Sequence, residues 1–543
     1  MSKMGMKRTM LPVKEVDISS VEYQREVIKA PHLTGYALKF FAWLVEIPFI
    51  GSLIMSLLKW QNNITEMMQH TVIPEPPMYL PEFPPQEVEP AVVLISEDTK
   101  PSICVESALD CLLPYDPNGH WTKGSPDSFL YWTIRDYAYA YQSKAVTPSI
   151  VAERLISSVE ESDKKEPPMK LMISFIAEDV RKQAAASTKR FEEEPQGIHT
   201  QLKDIPVAHP QALQLLLLLD YAQLLLEQMA EVVTLCDGTV EVVSPLAATV
   251  EDVMLVYAAM TGSSPADIIT LNPLGSFEVT ENRKIFRGKD DDALLIVDGI
   301  IAIFIEDLVL QTFDLFFQWF DDVYSTDIST KCNDALNLIT TMYGCQVTEI
   351  VLPELLEMSN SLLVSMGGEF LSYLSPDLVA GNIFELTCDS KIDLALFRSF
   401  TASEYVSAQQ LRRRVMYYHL EAFKKVDVIV TPTTGSQQMS DFVPFLSLDL
   451  ASGYLMRFVA AGNLLGLPAI SVPVGHDKQG LPIGLQLIGR PWGEATILRL
   501  AYAVEELCFK FRNRPSIFYD ILGVRTKNLT DVMYSDFEKM YGG

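Results

Sequence analysis

Residues 463–506 read NLLGLPAISVPVGHDKQGLPIGLQLIGRPWGEATILRLAYAVEE. Residues 468–475 form an apolar run bounded by prolines, and residues 481–489 form a second, with glycines at 475, 480, 484 and 489. Such glycines allow turns and close backbone approach, so the pair is predicted to be two strands. After Glu494, apolar residues recur at Ile497, Leu498, Ala501 and Val504, the spacing of a helix covering those strands. Upstream, VDVIV at 426–430 is a short buried strand ending at Thr431-Pro432-Thr433-Thr434, and residues 405–424 precede it as a helix bearing Arg412-Arg413-Arg414. Further back come a helix over 329–342, a strand over 345–351 and a long helix from Pro353. Buried strands alternating with helices are the grammar of an α/β fold.

Composition narrows the classes. The 543 residues can bury a large core, and 48% hydrophobic content argues for a globular protein. A net charge of −27 disfavours nucleic acid as a partner, because phosphate binding needs a basic surface. It equally disfavours attraction to anionic lipid, so membrane contact is expected to be hydrophobic. Seven scattered cysteines without C-x-x-C spacing, and seven dispersed histidines, imply free thiols in a reducing compartment and no metal site. Lys3, Lys7 and Arg8 are not followed by an apolar run before Leu33, so no signal peptide is expected; the protein is read as intracellular, either cytoplasmic or peripheral to a membrane.

The chain divides by pattern. Residues 1–71 are expected to form an N-terminal helical cap. Its apolar run, 33–58, is broken by Lys39, Glu46 and Pro48 into two pieces too short to span a bilayer, which leaves a helix pair lying on a membrane or packed on the body. Residues 72–127 begin with a proline- and acid-rich stretch and are expected to be an extended strap. The main domain follows over 128–543. Thr147-Pro148 opens an amphipathic helix through Glu160, and a second helix runs over 177–191. Two blocks do not match their neighbours: the leucine-rich segment within 203–234, and 277–317, an acidic patch ending in Asp290-Asp291-Asp292 followed by an oily run.

The string at 463–506 resembles the closing segment of the amidase-signature family. IKAPHLTG at 28–35, FLYW at 129–132, IRDYAYAYQSK at 134–144, TPSIVAERLIS at 147–157, LALFRSFTASEYVSAQ at 394–409 and VDVIVTPTTG at 426–435 are similar to the plant fatty acid amide hydrolase branch. The resemblance covers most of residues 10–200, 235–276 and 318–525. It implies an amidase-signature fold: a mixed twisted sheet covered by helices, with an N-terminal helical cap. It also implies a fatty acyl amide as the lipid partner, hydrolysed to fatty acid and amine without a cofactor.

The family's chemistry needs a nucleophilic serine, a bridging cis-serine, a lysine whose pKa is lowered by burial, and a glycine-rich oxyanion loop. The lysine follows a strand resembling LDGIPVAIKD. In this chain the string is LKDIPVAHP at 202–210, and Pro210 stands at the lysine position; Lys203 falls seven residues too early. The GGSSSGS and GGGS blocks have no counterpart, and the family pattern resumes at LCDGT, 235–239. No catalytic residue is therefore assigned, and the centre of the sheet is expected to be incomplete. One replaced and one inserted block, each without local logic, are the pattern of an aberrant gene product with a retained intron and skipped exons.

Substitutes are weak. Thr261-Gly262-Ser263-Ser264 imitates a Gly/Ser loop, but Gly after a helix followed by Ser-Ser-Pro is ordinary helix-end chemistry. Gly367-Gly368 resembles such a loop less still. His419 and the arginine run share one helix and are expected to form a solvated or interface face. No G-x-S-x-G elbow occurs. By resemblance, Ile28, Ala30, Leu58 and Ile64 in the cap and Thr433 and Thr434 in the main domain line an acyl channel, with core packing the plainer reading for the four cap positions. The expected function is thus an amide hydrolase by descent with activity lost. The alternative is a non-catalytic lipid-binding or membrane-docking protein, as a homodimer or as a partner of an active paralogue.

Overall fold

The computed structural model describes residues 8–18, 35–84, 92–95, 101–112, 131–165, 176–193, 244–260, 277–280, 312–315, 322–380, 387–435, 457–513 and 519–522, with a few positions between them. The helices are α1 (Gly35–Glu46), α2 (Pro48–Gln61), α3 (Ile64–Gln69), α4 (Pro101–Asp110), α5 (Ile134–Gln142), α6 (Pro148–Asp163) and α7 (Ala177–Glu193). They continue as α8 (Val250–Met260), α9 (Thr326–Tyr343), α10 (Leu355–Ala380), α11 (Cys388–Arg398), α12 (Ala402–Ala422), α13 (Ala460–Leu465) and α14 (Glu494–Cys508). Five strands form one sheet: β1 (Thr312–Leu315), β2 (Gln346–Glu349), β3 (Val428–Pro432), β4 (Ala469–His476) and β5 (Pro482–Gly489), in the order β2-β1-β3-β5-β4. Strand β1 is parallel to β2 and to β3; β5 is antiparallel to β3 and to β4. The expected α/β class is thus met by a mixed sheet.

Two compact units emerge, one of Met1–Val93, Val233–Ser244 and Asp267–Arg512, the other of Leu94–Val232, Pro245–Ala266 and Asn513–Gly543. The 203–234 block and residues 281–311 lie outside the described residues.

In the first unit β3 is buried along its whole length, and α14 lies against β4 and β5. Along β4, Val472 and Val474 point inward while Ser471 and Pro473 are exposed, the period-two pattern of a strand with one covered face. Strand β1 lies inside the 277–317 block and occupies the middle of the parallel pairing, between β2 and β3; Thr312 and Phe313 are of the residue types favoured in strands.

The cap helices α1 and α2 meet at 109°, with Pro48 at the first turn of α2. Among the described residues no single helix is long and apolar enough to cross a membrane. Leu38, Ala42, Val45 and Met55 of this pair pack with Ile392 of α11. Helix α3 supplies Ile64, Met67 and Met68 to a second cluster with Val364 of α10 and Ala408 and Leu411 of α12. The expected strap is extended over residues 73–84 but is not loose: Ile73 and Met78 are buried, and the Met78 amide donates to the Gln409 carbonyl at 2.9 Å. Residues 101–110 are helical, since Pro101 can open a helix and Cys104, Val105 and Ala108 fall on one buried face.

In the second unit, Thr133 caps α5 reciprocally with Asp136, and Thr147 caps α6 with Pro148 at its first turn. Asp252 at the start of α8 reaches across to accept from the Ile134 amide at 3.0 Å, beside a bidentate Arg135–Glu251 pair at 2.6 and 2.8 Å. Burial raises the Asp252 carboxyl from 3.8 to about 8, more than the Ile134 amide lowers it. The folded state therefore holds a proton that the unfolded chain releases. Stability from this group falls as pH rises from 3.8 towards 8 and is flat outside that window. Asp252→Asn keeps an acceptor for Ile134 and is expected to remove that decline, worth a few kcal/mol at most. Urea unfolding of the second unit at mildly acidic and mildly basic pH checks this; an unchanged slope in the variant contradicts it.

Candidate functional site

Two of the strings that carry the resemblance, 426–435 and 463–506, converge at one end of the first unit's sheet. Strand β3 runs out into Thr433 and Thr434, and the Thr433 amide donates to the Gly484 carbonyl of β5 at 2.9 Å. The Thr433 hydroxyl forms a short hydrogen bond with the Ser471 hydroxyl of β4. Between them Gly484 is obligatory by space: a Cβ there would lie 2.5 Å from Thr433 Oγ1 and 2.8 Å from Ser471 Oγ. Behind this pair Gln486 is buried, donating to Thr431 Oγ1 at 3.0 Å and to the Phe458 carbonyl at 2.8 Å, so its amide is fixed. On the other side Cys332 Sγ approaches the Gly484 carbonyl at 3.7 Å. Burial, together with the neighbouring Cys508, pushes the Cys332 thiol far above its ordinary range, so it stays protonated and unreactive.

Chemically, the hydroxyl pair can donate and accept hydrogen bonds. Among the described residues neither oxygen hydrogen-bonds to a lysine, histidine or carboxylate. Gly484→Ala is expected to separate the pair and cost about 1–3 kcal/mol by overpacking. Thr433→Ala in the same chain should recover part of it, because the two substitutions share the clash. Melting of the single and double variants checks this, and strict additivity sinks it.

The other expected site residues fall in different places. Ile28, Ala30, Ser263 and Ser264 lie outside the described residues, as do Lys203 and Pro210. Leu58 is half-buried against the α1–α2–α11 cluster, and Ile64 is buried in the cluster of α3, α10 and α12; neither cluster contains Thr433 or Thr434. Gly367 and Gly368 serve helix packing, since a Cβ would meet Phe397 at 2.6 Å and Tyr405 at 2.9 Å.

The arginine run requires a correction. Arg412, Arg414 and His419 are not on a solvated face; all three are almost wholly buried, and only Arg413 is partly exposed. The reason lies opposite the helix. Arg412 donates to the carbonyls of Leu464 (2.6 Å), Tyr79 (3.0 Å) and Thr239 (2.9 Å), and burial lowers its pKa to about 10. Arg413 donates to the Pro76 carbonyl at 3.0 Å and pairs with Glu82. Arg414 binds Glu75 at 2.5 Å and Glu354 at 2.8 Å; burial alone lowers its pKa, but the two carboxylates outweigh it and hold the guanidinium above its usual value. These arginines clasp the strap. His419 Nδ1 bonds its own helix at Val415 O, 2.8 Å away, and burial pulls its pKa down to about 4, too low for a general base at neutral pH. Among the described residues no group of histidine, cysteine, aspartate or glutamate side chains could hold a metal.

Residues 387–498 match the family model described as Amidase. Over 95% of its length the chain is 44% identical to a fatty acid amide hydrolase of Oryza sativa subsp. indica, covering 99% of that protein. Fatty acid amide hydrolases of Medicago truncatula and Arabidopsis thaliana are 42% and 41% identical over 96% of the chain, which covers the whole of each. The chain belongs to the fatty acid amide hydrolase family. The sheet end built from Thr433, Ser471 and Gly484 lies within the part of this fatty acid amide hydrolase-family chain that the Amidase model matches. Among solved structures, a bacterial aryl acylamidase of the amidase-signature family superposes on 73% of the chain and 99% of its own, at 15% identity and a TM-score of 0.46.

Proposed function

We propose that this chain is a fatty acid amide hydrolase-family protein that has lost hydrolysis and keeps surfaces for lipid. The carrying observation is Pro210 at the lysine position of a chain whose Gly/Ser signature blocks have no counterpart. A proline has no titratable group, and without the serines there is no hydroxyl for a base to activate. The rice alignment runs over 621 positions, more than the 543 residues of this chain, so that relative carries residues this chain lacks. The hydroxyl pair at Thr433 and Ser471 offers hydrogen bonds to an amide without a base to drive its cleavage. Purified protein mixed with an N-acylethanolamine is expected to release no ethanolamine above the protein-free rate. Turnover that follows the protein through purification, and is abolished by Ser471→Ala or Ser264→Ala, sinks the reading.

A second observation favours contact with a membrane. Helices α1 and α2 expose Tyr36, Phe40, Trp43, Phe49, Leu53 and Trp60, with Tyr36 and Phe49 each 90% exposed. Apolar surface of this extent on a compact protein marks an interaction site. Trp and Tyr suit the headgroup level of a bilayer, and a bent pair of short helices suits lying in its surface rather than spanning it. The protein is accordingly read as peripheral to a membrane, with a fatty acyl amide as the lipid it meets there.

A further inference from the structure

The α1–α2 pair carries only three charged side chains, of which Lys59 is buried and Lys39 and Glu46 are exposed. Lys59 is buried: its Nζ donates to Glu404 Oε2 at 3.0 Å and to the Ser399 carbonyl at 2.9 Å. Glu46 pairs with Lys391 at 3.2 Å. Lys39 alone is an exposed cation, 5.8 Å over the ring of Tyr36. Along α2 the outward positions include Phe49, Ser52, Leu53, Ser56, Leu57 and Trp60. The polar content is serine, and Ser56 Oγ donates to the Ser52 carbonyl of its own helix at 2.7 Å, so that hydroxyl enters lipid already hydrogen-bonded.

Amphipathic helices that bind anionic membranes do so with rows of lysine and arginine on the polar face. This pair has none. The chain's net charge of −27 repels an anionic surface within a Debye length. What remains is insertion of bulky side chains, which needs gaps between headgroups, and such gaps are commoner on curved or loosely packed neutral bilayers. Resting on the membrane reading above, we propose that α1 and α2 dock on electrically neutral, loosely packed phospholipid surfaces. Binding is governed by packing and curvature, and anionic headgroups oppose it.

The test is flotation of the full chain with phosphatidylcholine vesicles. The arms are small against large vesicles, low against high salt, and phosphatidylserine added or omitted. Flotation is expected on small neutral vesicles, weaker on large ones, unchanged by salt and reduced by phosphatidylserine. Phe49→Ser and Trp60→Ser, at exposed positions and so expected to leave the melting curve unchanged, should each weaken binding by about tenfold. Equal binding to small and large vesicles, release by salt, or a gain with phosphatidylserine overturns the selectivity while docking itself stands. No flotation with any vesicle, or a lipid-free oligomer that the same two variants split, overturns the membrane reading as well.

Discussion

Arg414→Met is expected to lower the stability of the first unit by about 3–5 kcal/mol, the largest loss of any single side chain in the clasp. The methionine fills much of the space, so the loss is electrostatic rather than a cavity. It leaves Glu75 and Glu354 facing each other across a largely buried site, with the guanidinium gone. The Leu11 carbonyl loses its 2.8 Å donor as well. Glu75 in turn accepts from the Val13 amide at 2.8 Å, so residues 11–15 and the strap share one anchor. Glu354 is held with a positive φ of 63° immediately before α10, a conformation a non-glycine residue keeps only when its surroundings enforce it. Arg414→Lys should recover only part of the loss, because an ammonium cannot match the forked contacts to both carboxylates. Adding Glu75→Gln and Glu354→Gln to Arg414→Met should recover more, since the unpaired charges are then removed. By contrast Arg413→Ala, whose partner Glu82 is solvent-exposed, should cost under about 1 kcal/mol. Thermal melts and limited proteolysis within residues 73–84 measure all four; equal costs for the Arg413 and Arg414 variants would overturn the buried-clasp account.

That clasp also shows where sequence reading stops. The local grammar transferred well: the strands expected over 468–475 and 481–489 are Ala469–His476 and Pro482–Gly489, and the helix after Glu494 runs to Cys508. Thr147-Pro148 opens a helix because cap and fixed φ act within one turn, and Pro48 breaks the cap run because it removes one amide. Arg412-Arg413-Arg414 misled because three consecutive cations on a helix are usually solvated, and periodicity is silent about what lies opposite. Their partners include the strap carbonyls and Glu75, more than 330 residues earlier. Burial of arginine is tolerable only where carbonyls and carboxylates converge on it, and convergence is a tertiary property. The Thr433–Ser471 pair was half legible. Thr433 stood out through the family string, whereas Ser471 read as one more polar position on a strand until the register brought it beside Gly484.

Hydrolysis of a fatty acid amide by this chain is expected to lie below an intact relative by at least about four orders of magnitude, the scale on which serine hydrolases fall when nucleophile and base are removed. Here the expected loss is deeper. Removal of a triad normally spares the oxyanion donors, which sustain residual catalysis, whereas on the proposed reading this chain lacks the glycine-rich loop as well. A single reversion should therefore fail. Pro210→Lys restores a basic side chain but no hydroxyl for it to activate, so it is expected to leave turnover at the uncatalysed rate. Groups that act as one unit are not additive, and the gain appears only when nucleophile, bridge, lysine and donors return together. Replacing residues 203–234 with the corresponding segment of an active relative is the matching gain-of-function experiment. It should restore hydrolysis if the groups carried by that segment are all that the chain lacks. Restored binding of an N-acylethanolamine without turnover would place a further defect outside that segment. Activity in the Pro210→Lys chain alone would mean that Ser263, Ser264 or Ser471 had already been recruited as nucleophile, and would overturn the loss-of-function account.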